Sequence, residues 1–228
     1  MSADLDPSAW PDFRSQAHRM LDDILDSIQN IREEPVWRPI PDDLRTRLRT
    51  ADVPLTPSDL SQVHEEFMRD ILPYAAGNSH PGFMGWVHGG GTPVGLVAEM
   101  LAAGLNANLG GRDHAPIEIE RQIVRWMREV FQFPDSATGL FVTGTSMANL
   151  IGVLVARDSE LGFDVRREGL KGNEKRLTAY TSTAAHASIG KAMDIAGLGS
   201  SALRHIRVDA RHRIDADALA ASIAADRR

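Results

Sequence analysis

Gly144, Thr145 and Ser146 form a turn of small residues between two apolar segments, a pattern suited to anion binding. The first backbone N–H groups of a helix have no intrahelical partner, and the aligned peptide dipoles add partial positive charge at the same end. A phosphate group satisfies both, and the hydroxyls of Thr145 and Ser146 add further donors. We therefore predict a phosphate site at this turn. The alternative interpretation is an ordinary strand-to-helix turn in which a hydroxyl caps the helix.

His186 is a second candidate for chemistry. It follows residues 176–181, which the sequence predicts as a strand, after a short turn of small residues. An imidazole at that position could stack on a flat cofactor ring or move a proton. The alternative is a capping or surface histidine. The other histidines, including His80 and His88, show no metal-ligand spacing, so we predict no metal site.

The second half of the chain alternates between predicted strands and helices. Strands at 140–143, 176–181 and 203–208 are separated by helices at 146–157, 185–197 and 215–226. This alternation implies crossover connections and an α/β fold with a largely parallel sheet. Ligands bind beyond the carboxyl ends of such strands, so we expect the turns at 143–146 and 182–186 to meet at one edge of the sheet.

The middle of the chain holds a loop and two predicted helices. Residues 80–91 are rich in glycine and aromatic side chains, which is typical of a loop that lines a ligand site. A mostly apolar helix is expected over 93–105 and a second helix over 116–131. The second carries an apolar stripe that we expect to be buried, made of Ile119, Ile123, Trp126, Met127 and Val130.

Residues 1–75 are predicted to form a helical arm, and residues 76–228 the first part of a large domain. Apolar spacing indicates a helix over 13–31, and prolines indicate an extended strap over 34–57 with room for one helical turn. Thr56 is the expected N-cap of the next helix, with Pro57 at its first position. One face of that helix carries Leu60, Val63, Phe67 and Ile71. We expect the arm to pack on the large domain or on a second subunit.

Composition narrows the class of partner. The chain has 228 residues, 43% hydrophobic and 25% charged, with a formal net charge of −6. This acidic balance argues against nucleic acid or an anionic membrane as a partner. The absence of cysteine excludes disulfides and cysteine-based zinc sites. The sequence has no signal-peptide pattern and no run of about 18 apolar residues, so we expect a cytoplasmic protein that binds a small molecule or another protein.

Several short motifs, in a fixed order, resemble one enzyme family. The chain contains Phe141-Val142-Thr143-Gly144-Thr145-Ser146-Met147-Ala148-Asn149-Leu150 and, further on, Ala179-Tyr180-Thr181-Ser182-Thr183-Ala184-Ala185-His186-Ala187-Ser188. Upstream are His80-Pro81-x-Phe83 and Pro116-Ile117-Glu118-Ile119-Glu120. Together they closely resemble the pyridoxal-phosphate-dependent group II amino acid decarboxylases, which include the aromatic L-amino acid, histidine and glutamate decarboxylases. The likeness extends from about residue 10 to the end of the chain.

The resemblance implies a fold, a cofactor and roles for particular residues. The expected fold is the beginning of an aspartate-aminotransferase-type (fold type I) large domain, preceded by an arm that embraces the other subunit of a dimer. Pyridoxal 5′-phosphate is the implied cofactor, with its phosphate at Gly144, Thr145 and Ser146. His186 is implied to stack on the pyridine ring and to assist proton transfer. The implied substrate-facing residues are Trp86, Val87, His88 and Gly89.

The chain also departs from the family pattern. Met147 stands where an acidic residue is common, and Val87-His88-Gly89 stands where the aromatic decarboxylases have an aromatic-Pro-Thr sequence, so the likeness does not imply an aromatic substrate. Two family features have no counterpart here: the aspartate that pairs with the pyridine nitrogen, and the lysine that forms the Schiff base. Lys171, Lys175 and Lys191 do not match that lysine's position. We therefore expect the isolated chain to be inactive and a second polypeptide to supply the missing half.

Three other functions remain open from the sequence. One is an aldehyde-lyase of the same fold that acts on a phosphorylated amino alcohol. Another is a non-catalytic remnant that pairs with a complete homologue. The third is a nucleotide-binding domain, although residues 143–146 have neither the Gly-x-Gly-x-x-Gly spacing nor the lysine of a P-loop.

Overall fold

A computed structural model of the chain describes residues 6–110, 113–161, 165–170 and 175–227. The contacts divide the chain into two compact units, residues 1–108 and residues 109–228, which are described separately below. The arm and large-domain division proposed at residue 75 stays a prediction. The predicted loop at Lys171 lies outside the described residues, in the gap at 171–174.

The first unit begins with the long helix α1, Trp10–Gln29, which confirms the helix expected from apolar spacing. Pro11 lies in its first turn, where a missing N–H costs nothing, and Asp12 adds favourable negative charge to the same turn. A short 3₁₀ turn, Ile31–Glu33, follows α1. Among the described residues, no helix is both long enough and apolar enough to cross a membrane.

The proline-rich strap contains more helix than we predicted. Helix α2, Asp42–Thr50, has nine residues rather than a single turn. Acidic residues occupy its first turn and arginines its last, which complements the helix dipole at both ends. Leu44 anchors the helix because it is only 4% exposed. The prolines therefore limit α2 at its flanks but do not prevent it from forming.

The next helix begins later than predicted. Helix α3 spans Leu60–Glu66, and its N-cap is Asp59, so the expected cap at Thr56 was wrong. The Asp59 N–H donates to the side chain of Gln62 at 3.3 Å, and this reciprocal contact across the first turn explains the start point. A π-helix, Phe67–Ile71, and a 3₁₀ turn, Leu72–Tyr74, continue the chain.

Helix α4, Pro93–Leu105, has the bounds predicted for it. Thr92 caps it, since the Thr92 Oγ1 accepts a hydrogen bond from the Gly95 N–H at 2.9 Å, and Pro93 occupies the first helical position. Asn106 ends the helix in the left-handed conformation, with φ 44°. Each of these signals is local in sequence.

The second unit opens with helix α5, Ala115–Val130, which confirms the predicted helix. Its apolar stripe is not buried as expected: Ile119, Trp126, Met127 and Val130 are all exposed. Helical periodicity identifies a face that is stable only when another surface covers it. It does not establish that the covering surface belongs to the same part of the chain.

The strand predicted at 140–143 was wrong. These residues form no strand, and the Phe141 N–H donates instead to the Glu120 carboxylate at 3.1 Å. Leu140 and Phe141 are 60% and 58% exposed. A strand requires a partner that accepts and donates along its backbone, and apolar alternation alone does not provide one. Helix α6, Gly144–Leu161, follows directly, and a short helix α7 covers Val165–Glu168.

The remaining elements confirm a parallel crossover. Strand β1, Ala179–Ser182, leads through helix α8, Ser188–Ile195, and a 3₁₀ turn, Ser200–Ala202, to strand β2, Leu203–Ile206. The two strands are parallel, with Ala179 opposite Leu203 and Ser182 opposite Ile206. Helix α9, Ala216–Asp226, closes the unit. Helix α8 packs against α6, and the buried apolar residues of the unit are Ala192, Met193, Ala196, Leu203 and Ile206.

Candidate active site

The turn at Gly144 is the first part of the candidate site. Gly144 begins helix α6 with φ 76°, a left-handed conformation that favours glycine. A side-chain carbon added there would meet no atom within 4 Å, so the backbone conformation, rather than crowding, accounts for the glycine. Thr145 and Ser146 are exposed, and the first turn of α6 carries no acidic residue. An exposed helix start with two hydroxyls and no acidic residue in its first turn fits a phosphate group.

His186 lies just beyond the carboxyl end of β1. The turn that carries it is held in two places: the Thr183 N–H donates to the Ile206 carbonyl at 2.8 Å, and the Ala185 N–H donates to the Ser182 carbonyl at 3.1 Å. The imidazole is held through one nitrogen, because the Ser188 N–H donates to Nδ1 at 3.2 Å. The residue is otherwise exposed, which suits a side chain that meets a ligand.

Two residues that the sequence analysis did not single out connect these parts. Asn149 on α6 donates from Nδ2 to the Ser188 Oγ at 3.2 Å, and that oxygen lies 3.0 Å from the His186 Nδ1. Asn149 follows Ser146 by three residues, so both lie on one side of the helix. Ser188 is 5% exposed. A polar residue three positions after the hydroxyl turn was the available signal, but its partner lies 39 residues away in sequence.

The predicted substrate loop belongs to the first unit. His88 stacks on Phe83, with ring centroids 5.9 Å apart and an interplanar angle of 15°, and lies 5.7 Å from the Trp86 ring. The Asn78 side chain donates to the Gly89 carbonyl at 2.8 Å. Trp86 has φ 49°, which is uncommon for a bulky residue, and Val87 is fully exposed. The loop is therefore ordered by its own side chains, and its contact with a substrate stays a prediction.

The described lysines are engaged elsewhere or exposed on a helix. Lys175 pairs with the Glu160 carboxylate at 3.6 Å and also bonds the Glu160 carbonyl. Lys191 lies exposed on α8. No group of three or more potential metal ligands is present within the described ranges.

Comparison with known proteins identifies the family. The family model described as "Pyridoxal-dependent decarboxylase conserved domain" matches residues 41–228. An aromatic-L-amino-acid decarboxylase from Bacillus atrophaeus is 31% identical over 231 residues, covering 100% of this chain and 46% of that protein. The chain thus spans about half the length of the curated relatives it matches.

Solved structures show the same fold. Oryza sativa TDC, solved with PLP and tryptamine, has a TM-score of 0.81 at 23% identity, over 98% of this chain and 47% of that one. A glutamate decarboxylase domain of a diaminobutyrate-pyruvate transaminase and L-2,4-diaminobutyrate decarboxylase from Vibrio parahaemolyticus has a TM-score of 0.84 at 21% identity, over 97% and 49%.

These comparisons confirm the α/β fold class expected from the sequence, a partial fold type I domain. Pyridoxal 5′-phosphate is the cofactor of the matched family, and the helix start at Gly144 suits its phosphate group. This chain belongs to the pyridoxal-dependent decarboxylase family.

Proposed function

We propose that this chain is the amino-terminal portion of a pyridoxal-phosphate-dependent L-amino acid decarboxylase. The observation that carries the proposal is the link between the open start of α6 and the turn of His186, made by Asn149 and Ser188. This link brings a site suited to a phosphate beside an imidazole suited to a flat ring. The two groups are those that a phosphorylated pyridine cofactor needs.

Each residue then has a defined task. Gly144, Thr145 and Ser146 bind the cofactor phosphate through backbone N–H groups and hydroxyls. His186 orients the ring, and because Ser188 holds its Nδ1, proton exchange falls to Nε2. The loop at residues 86–89 faces the amino acid substrate. When bound, the cofactor supplies an electron-accepting ring that makes loss of carbon dioxide from the substrate feasible.

The proposal includes a complementary polypeptide that brings the cofactor-binding lysine. Lys175 is paired with Glu160, and Lys191 lies on α8 after the His186 turn, so neither is suited to that role. Exposed apolar side chains on α5 and at residues 140–141 offer a surface for such a polypeptide to cover. We further propose that the complete enzyme is a cytoplasmic homodimer to which the arm contributes contacts.

One experiment tests these statements together. The chain is purified from cells with pyridoxal phosphate present, reduced with borohydride, and analysed by intact mass. Carbon dioxide release is measured on a panel of L-amino acids. We expect a second polypeptide that carries the reduced cofactor adduct, and carbon dioxide release only when both chains are present.

The alternatives give different results. An aldehyde-lyase would form an aldehyde from a phosphorylated amino alcohol without releasing carbon dioxide. A non-catalytic remnant would co-purify with a complete homologue and contribute no activity of its own. Full activity from this chain alone, or no cofactor bound to any assembly that contains it, would overturn the proposal.

A further inference from the structure

We propose that Asn149 and Ser188 are positioning residues that make Nδ1 of the His186 imidazole a hydrogen-bond acceptor, so that the ring proton lies on Nε2. The inference rests on the proposed function only in the role it gives to His186. A short chain of hydrogen bonds runs from Asn149 on α6 through Ser188 to the His186 ring.

The direction of each hydrogen bond follows from the donor groups. The Asn149 amide N–H can only donate, so the Ser188 Oγ accepts at 3.2 Å. The hydroxyl proton of Ser188 is then available for the His186 Nδ1, 3.0 Å away. The Ser188 backbone N–H, which also can only donate, points at the same nitrogen from 3.2 Å. Nδ1 therefore faces two donors and is an acceptor, which leaves the ring proton on Nε2.

Burial makes this arrangement specific rather than incidental. Ser188 is 5% exposed. Because a buried hydroxyl without a hydrogen-bond partner is costly, the hydroxyl favours keeping both its contacts, to the Asn149 amide and to the His186 ring. Asn149 lies on α6 and Ser188 begins α8, and these two helices pack against each other. The exposed imidazole is thus attached through one nitrogen to the packed pair of helices α6 and α8. Its other nitrogen is the one presented for proton exchange.

The test uses the full chain labelled with nitrogen-15 and free of cofactor. Long-range proton–nitrogen spectra at about pH 8.5, where an ordinary imidazole is neutral, distinguish a bare ring nitrogen from a protonated one. Loss of signals in His186→Gln assigns the ring. We expect Nδ1 of the unaltered chain to resonate as a bare nitrogen and Nε2 as a protonated one.

Asn149→Asp is the decisive variant because it keeps the shape and reverses the hydrogen bond. The carboxylate accepts the Ser188 hydroxyl proton, so Nδ1 then faces a lone pair of Oγ and keeps only the Ser188 backbone N–H as a donor. We expect the Nδ1 resonance to shift part of the way towards the protonated position. Ser188→Ala should broaden the His186 ring signals or shift both ring nitrogen resonances, and Ser188→Thr should restore the original pattern. Ser201→Ala, at an exposed position, is the control and should leave the ring resonances unchanged.

Unchanged ring nitrogens in both Asn149→Asp and Ser188→Ala would overturn the proposal, as would a protonated Nδ1 in the unaltered chain. Circular dichroism checks that each variant is folded. If Asn149→Asp does not fold, the comparison of Ser188→Ala with Ser188→Thr still tests the proposal. Because no cofactor is present, the result is independent of activity. Failure of the chain to bind pyridoxal phosphate in a separate titration would count against the proposed function alone.

Discussion

The Tyr180 hydroxyl donates a hydrogen bond to the Asp226 carboxylate at 2.9 Å and so joins strand β1 to the last residue of α9. Arg204 on β2 reaches the same carboxylate, with its Nη2 2.9 Å from Oδ1. One carboxylate therefore ties both strands of the sheet to the closing helix. The Arg204 and Tyr180 hydrogen bonds lower the pKa of Asp226, while burial and Asp226 itself raise the pKa of Tyr180.

Replacing Asp226 by Asn should destabilise the second unit in a pH-dependent way. The pKa of Asp226 is lower in the folded chain than in the unfolded chain, so the carboxylate stabilises the fold above about pH 4, the ordinary range of an aspartate. That contribution is lost as pH falls through the folded pKa. Urea unfolding at several pH values should show that Asp226→Asn has a lower free energy of unfolding than the original chain, and that this difference becomes smaller in acid.

Asp194→Asn, a change at an exposed aspartate on α8, is the matched control for this series. It should leave the unfolding midpoint close to that of the original chain throughout. If the difference in free energy of unfolding between Asp226→Asn and the original chain stayed constant down to acid pH, ionisation of Asp226 would not contribute to stability.

Arg157 should be important for holding α6 against the end of α8. Its Nη1 donates to the Ala196 carbonyl at 2.7 Å, its Nε donates to Asp158 at 2.8 Å, and its side chain is 13% exposed. Hydrogen bonds that involve a charged group contribute about 1.5–3 kcal/mol, so Arg157→Ala should lower the free energy of unfolding by an amount in that range. Denaturant titration measures it. Arg211→Ala, at an exposed position, serves as the control and should have little effect.

Two glycines of α6 should respond to alanine with opposite signs. Gly144 has φ 76°, where an L-residue is strained by about 1–2 kcal/mol, so Gly144→Ala should weaken the binding of pyridoxal phosphate and lower stability. Gly152 lies inside the helix with open space around it, so Gly152→Ala should stabilise the chain by about 1 kcal/mol. Thermal unfolding and cofactor titration test both. Equal changes in stability for the two alanine variants would contradict the left-handed conformation of Gly144.

The hydroxyls at the start of α6 should discriminate between phosphorylated and unphosphorylated cofactor. If Thr145 and Ser146 bind the phosphate, Thr145→Val and Ser146→Ala should each weaken pyridoxal phosphate binding by about 10- to 100-fold, which corresponds to about 1.4–2.7 kcal/mol for a hydrogen bond to a charged group. Binding of pyridoxal, which has no phosphate, should be unchanged. Fluorescence titration of the assembled protein with both ligands provides the comparison. An equal loss of affinity for pyridoxal phosphate and for pyridoxal would argue that Thr145 and Ser146 have a structural role instead.

Local signals in the sequence were sufficient where an element depends on its own residues. Thr92, Pro93 and Asn106 determine the ends of α4, and its predicted bounds were confirmed. The family, the fold class and the parallel pairing of β1 with β2 were also confirmed. These results share a cause, because caps, periodicity and each single motif are visible within short stretches of chain.

Elements that depend on distant partners were predicted less well. Residues 140–143 have the composition of a strand, but a strand also needs a neighbouring backbone, and the Phe141 N–H is bonded to Glu120 instead. Asn149 and Ser188 were not predicted at all, because only the packing of α6 on α8 brings them together across 39 residues. The roles assigned to Gly144, Thr145, Ser146, His186 and the loop at residues 86–89 stay predictions.

The exposed indole of Trp86 lies 5.7 Å from the His88 ring and is an intrinsic fluorescence probe of the loop. Indole emission shifts to shorter wavelength when the ring leaves water. Trp10, Trp37 and Trp126 are the other tryptophans, and replacing these three by phenylalanine leaves Trp86 as the single emitter. A change in its emission when an amino acid is added would then follow the loop itself, before any product has formed.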